Sequence, residues 1–144
     1  MPLPTLSGDN AKDLALSADG DLVLGADGDL ATVSGLQVLQ QEILFRIRTR
    51  LGDDLYQPQM GTLLDTLIGR PNAQETADAG VAMITSALVH DGLLSTIALE
   101  VLAYPKAATV IAFILLVDAS FYGYASGEAL SLEFDLDLEE GLVL

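Results

Sequence analysis

The sequence predicts an α+β fold in which a short N-terminal hairpin and helices pack on a C-terminal antiparallel sheet of about three strands. Two changes of hydrophobic period carry that reading. Apolar residues recur at three- and four-residue steps through residues 35–51 and again from 72 to 90. From about residue 97 they alternate with polar ones, as a half-buried strand requires. The third observation is an internal echo near the start, SADGDLVL from Ser17 and GADGDLAT from Gly25, with Asp-Gly at each turn.

Residues 1–13 hold two prolines and several small polar residues without periodicity, and read as a flexible or partner-ordered arm before a single domain over 14–144. The echo reads as short strands joined by tight turns. Its aspartates, Asp19, Asp21, Asp27 and Asp29, also suggest calcium, but two copies lack the glutamate and spacing of an EF-hand loop.

Residues 34–62 organise the rest. Leu36, Leu39, Ile43, Ile47 and Leu51 form one stripe of a helix over about residues 35–51, with Ser34 as its cap and Gly52 as its stop. A loop fixed by Pro58 follows, then a short helix from Gly61 closed by Gly69 and Pro71. The next helix starts at about Asn72 and breaks at Asp91-Gly92. Ala77, Val81, Ile84 or Met83, and Leu88 are its apolar face, and Ala79, Gly80, Ala82 and Ala87 allow close approach of a neighbour.

Ile97, Leu99 and Val101 begin a strand, and Tyr104-Pro105-Lys106 reads as its turn. The run ATVIAFILLVD from Ala107 has few polar positions, as in a central strand covered on both faces. A Gly- and Tyr-rich loop at 121–127 leads to the cleanest alternation. Leu130, Leu132, Phe134, Leu136 and Leu138 face one way, and Ser131, Glu133, Asp135, Asp137 and Glu139 the other. Such a strand can accept another chain's strand at its edge.

Composition excludes several functions. The net charge of −15 opposes polyphosphate, so no nucleic-acid partner is expected. No apolar run reaches the roughly 18 residues of a membrane helix, and the first residues lack a signal-peptide pattern. Without cysteine and with one histidine, His90, neither a metal nor another cofactor is expected. Glu42 with Asp53 or Asp54 is a nominal hydrolase pair, but the chain lacks tryptophan to hold sugar rings. No nucleophile elbow or phosphate loop is present, and the chain reads as a non-enzyme. Arg46, Arg48 and Arg50 are half of the basic residues; Arg46 and Arg50, one turn apart, grip carboxylates of a partner or of the chain's own acidic strands, line an ordinary solvated face, or meet phosphate.

Several of these pieces stand in a familiar order. A strand with Asp29 ends in Ser34-Gly35, a Gln-bearing helix ends in Arg46-Ile47-Arg48-Thr49-Arg50-Leu51-Gly52-Asp53, Pro58 to Thr62 reads Pro-x-x-Gly-Thr, and Pro71-Asn72 closes a short helix. This third of the chain resembles the baseplate-wedge and sheath-initiator family of contractile phage tails and related injection systems, also described as tail-lysozyme-like. Asp53 replaces the family's usual glutamate, and Val89-His90-Asp91-Gly92 stands where many members carry Glu-Pro-Arg, so that triplet's interaction is not carried over. The resemblance implies a structural role in a six-fold baseplate, located in the virion tail and assembled in the host cytoplasm. It implies partners among the tail sheath protein and other wedge or hub proteins. It further implies docking through Arg46 and Arg50, and sheath nucleation by strand pairing through Leu130, Leu132, Phe134, Leu136 and Leu138. A peptidoglycan-hydrolysing tail lysozyme and a small acidic adaptor unrelated to tails are the alternatives.

Overall fold

In the computed structural model, which describes residues 12–90, 92–118 and 129–143, the two helices and a four-stranded antiparallel sheet share one core. The elements in order are β1 (Lys12–Leu14), β2 (Thr32–Ser34), α1 (Leu36–Arg48), a 3-10 turn (Leu64–Leu67), α2 (Gln74–Val89), β3 (Leu99–Ala107), β4 (Val110–Asp118), β5 (Ala129–Asp137) and β6 (Gly141–Val143). The sheet runs β3-β4-β5-β6 in sequence order, and β1 pairs separately with β2. One strand more than expected results, because the short apolar tail folds back on β5 through Gly141, which adopts φ +109. Of the expected arm, Lys12 and Asp13 belong to β1; the remainder, like the loop at 121–127, lies outside the described residues.

The period-two pattern sets the core. Ile111, Phe113, Leu115 and Val117 of β4 lie opposite Leu136, Phe134, Leu132 and Leu130 of β5, and all eight are buried. Leu39, Ile43 and Ile47 of α1 and Ile84 and Leu88 of α2 complete the cluster. The Phe113 and Phe134 rings stack with centroids 5.6 Å apart. Gly80 lets α2 settle on that pair, since a Cβ there would stand 2.5 Å from Phe113 Cζ.

Local expectations shift for identifiable reasons. Ser34 ends β2 and does not cap α1; the N-cap is Gly35, at φ +62, without a side-chain hydrogen bond. The helix stops at Arg48, a turn earlier than its pattern, because Thr49 turns extended and the chain pairs with Thr62. Tyr104, Pro105 and Lys106 are not a turn but the end of β3. Proline is tolerated on this edge strand, where no donor is required, and the register shifts between Pro105 and Ala107. The helices cover only one face of β4: Leu116 and, less so, Ile114 are accessible on the other.

The aspartate echo folds as two tight turns. Ser17 N–H donates to Asp21 O, and Gly25 N–H to Asp29 O, with Gly20 and Gly28 at positive φ in each turn. Ala15, Val23 and Ala31, spaced by eight residues, close a ring: Ala15 N–H bonds Ala31 O, Ala31 N–H bonds Val23 O, and Val23 N–H bonds Ala15 O. The Gln41 side chain fastens this module to α1, accepting from Leu16 N–H at 2.9 Å and donating to Leu14 O at 2.8 Å.

Candidate functional site

The sheet offers one long strand with a partly open edge. β5 is paired with β4 along its whole length, from Ala129 opposite Asp118 to Asp137 opposite Val110. On its other side β6 reaches only Asp135, Leu136 and Asp137. Among the described residues, 129–134 therefore have a strand on one side only, and alternate backbone groups there face outward. The β3 edge is open as well, but Pro105 and the shifted register interrupt it near its end.

The five expected docking side chains, four in β5 and Leu138 just after it, are not on the surface. Leu130, Leu132, Phe134, Leu136 and Leu138 are all buried in the hydrophobic core, so a partner at β5 meets backbone and the outward side chains. Ser131 and Glu133 are exposed on that outer side. Tyr104 Oη donates to Glu133 at 2.7 Å, and Lys106 Nζ to Asp135 at 2.9 Å, each reaching diagonally across β4. The bond to Glu133, aided by desolvation, raises the Tyr104 pKa, and that to Asp135 raises the Lys106 pKa.

Arg46 and Arg50 also separate. The pattern puts them on one helix face, yet Arg46 is 0% exposed and donates to Glu42 at 2.9 Å one turn back. It is a structural ion pair under the surface and not a grip for a neighbour; the apolar stripe is wide enough to take position 46 into the core. Arg50 lies beyond the helix, exposed, and donates to Asp65 Oδ2 at 2.8 Å, which raises its pKa. Arg48 donates to the carbonyl of Ala18 and so binds the aspartate module to α1.

Two of the three nominal catalytic carboxylates are engaged in structure: Glu42 by Arg46, and Asp54 Oδ1 by the N–H groups of Tyr56 and Gln57. In the aspartate module, Asp27 accepts from Asp29 N–H and Asp29 from Leu30 N–H. Among the described residues no group of three or more His, Asp or Glu is placed to hold a metal ion, and no helix is long and apolar enough to cross a membrane. His90 is the exposed C-cap of α2, its N–H bonded to Ser86 O.

Sequence reasoning missed one surface feature. Leu55 and Tyr56 stand 90% and 96% exposed in the loop after α1. A leucine and a tyrosine between two aspartates and a proline were its signal.

No family model matches the sequence, and no curated protein does. Among solved structures, the fold is similar to that of a Geobacter sulfurreducens protein described as a "putative tail lysozyme", with a TM-score of 0.56 over 83% of this chain and 98% of that one. At 14% identity, this likeness is one of fold.

Proposed function

We propose that this chain is a structural component of a contractile-tail baseplate that nucleates the sheath by accepting an extended segment of a sheath subunit at the open edge of β5. The observation that carries the proposal is the edge itself. A segment laid along residues 129–134 continues the sheet in line with β6, and its main chain supplies partners on the side where, among the described residues, no strand lies. The resemblance of residues 29–72 to sheath initiators, and the similarity of fold to a protein described as a "putative tail lysozyme", support the tail setting. The partners are then the sheath protein and neighbouring wedge or hub proteins in a six-fold baseplate of the virion. Neither nucleic acid nor membrane takes part.

The similar structure's name also raises cell-wall hydrolysis. Against that reading, Glu42 and Asp54 already hold a buried arginine and a loop. The role is assembly and not catalysis.

Removing the chain from a tail-producing strain is expected to give baseplates and tubes without sheath, and returning it to restore the sheath. Sheath of normal length in its absence contradicts the proposal, and peptidoglycan turnover by the purified chain supports the hydrolase. Deleting everything after residue 127 is no substitute, because it removes β5, β6 and five of the buried side chains that form the core.

A further inference from the structure

The loop between α1 and the 3-10 turn is built to hold two large apolar side chains in water. Leu55 and Tyr56 are nearly fully exposed, yet their backbone is fixed. Asp54 Oδ1 accepts from Tyr56 N–H at 2.8 Å and Gln57 N–H at 3.1 Å, Met60 N–H donates to Gln57 O at 3.0 Å, and Asp53 N–H to Arg50 O at 3.1 Å.

The base of the loop is as firmly closed. Leu51 N–H bonds Thr62 O and Thr62 N–H bonds Thr49 O, both at 2.9 Å, while the buried Thr62 hydroxyl donates to Ile47 O. Gly61, at φ +117, passes so near this strand pair that a Cβ would lie 2.5 Å from Thr49 O. The Arg50–Asp65 ion pair braces the outside. Binding through the tip therefore orders two side chains and little backbone, which is how an anchor keeps its affinity.

Building on the tail-assembly reading, we propose that Leu55 and Tyr56 are the anchor by which this chain seats in an apolar pocket rimmed by lysine or arginine on a different protein of the same particle. Charge selects that occupant. Asp53 and Asp54 flank the tip, so a cationic rim suits it. A second copy of this chain suits it less, its exposed Lys12 and Arg70 being outnumbered by 21 acidic residues. The copy's net charge is −15, Arg46 is buried, and Arg50 and Lys106 face their own carboxylates. The groove of about 460 Å³ beside α1, lined by Leu16, Val33, Leu44 and Phe45, has Arg48 at its edge, but that arginine is bound to Ala18 O and Asp19 lines the same groove.

The test adds purified chain to tail particles assembled without it and measures retention by co-sedimentation. The Leu55→Ser/Tyr56→Ser variant, which alters no buried contact, is expected to melt as the parent does and to bind at least about tenfold more weakly, as loss of a hot spot requires. Asp53→Lys weakens retention and removes part of its salt dependence, and Asp54→Ala, which keeps both apolar side chains but frees their backbone, gives an intermediate loss. Parental retention of the double variant overturns the anchor while leaving the assembly role standing. So does a dimer of the parent in sedimentation equilibrium that the double variant abolishes, because the occupant is then a second copy. A parent chain that the particles fail to retain overturns the assembly reading, and the anchor with it.

Discussion

Arg46 donates to Glu42 at 2.9 Å within α1, and the guanidinium is wholly enclosed while its carboxylate partner keeps partial access to water. Removing Glu42 takes a hydrogen-bonded counter-charge from an enclosed guanidinium. Glu42→Ala is therefore expected to cost about 3 kcal/mol, the lower end for a broken buried pair, in a urea unfolding midpoint at constant m-value. Arg46→Met, which removes the charge and keeps the length, costs less. Charge reversal at Arg46 unfolds the chain, whereas reversal at exposed Arg50 leaves it folded.

Gly80 and Phe113 set how closely α2 approaches the sheet. Alanine at position 80 gains about 1 kcal/mol in helix propensity but forces a Cβ into the Phe113 ring, an overpacking that costs about 1–3 kcal/mol. Net destabilisation is expected in thermal unfolding, and Phe113→Leu in the Gly80→Ala background recovers part of it. Additive losses in the double variant would mean that the ring is not the obstacle.

The outer-face contacts titrate in alkali. Tyr104 and Lys106 both have pKa values raised above the ordinary 10.0 and 10.5, chiefly by their hydrogen bonds to Glu133 and Asp135. A raised folded pKa favours the protonated form, so this stabilisation is present at neutral pH and is lost as pH rises through those values. Glu133→Gln is expected to lower the Tyr104 pKa, read from its ring carbon shifts by NMR. An unchanged titration would mean that the bond to Glu133 does not hold the phenol.

Gln41 ties the aspartate module to α1 by its amide alone at two backbone positions. Gln41→Ala is expected to speed exchange of the Leu16 amide markedly. The global unfolding free energy then falls by only about 2 kcal/mol, the net worth of two typical hydrogen bonds.

Much of this architecture was legible in residue order. Leu130 to Leu138 alternate so regularly that strand and buried face both follow, and Leu39, Ile43 and Ile47 mark the helix face that meets them. What periodicity cannot carry is the competition between a helix and its surroundings. Arg46 and Arg50 look equivalent on a helical wheel, but pairing of the chain with Thr62 ends the helix between them, and packing takes one of them inside. Pro105 reads as a turn residue because sequence does not tell an edge strand from a loop. The strand at Gly141–Val143 is too short for a periodic signal. As for the candidate site, the alternating strand was visible, whereas the partial reach of β6 along it, and so its open edge, depends on the fold.

Backbone exchange at the open edge of β5 tests the central claim most directly. The amides of residues 130–134 that point away from β4 are expected to exchange readily in the free protein and to become protected, by at least about tenfold, when sheath subunits are added to baseplates carrying this chain. Sheath that assembles while those amides exchange at their original rate would contradict strand pairing at β5.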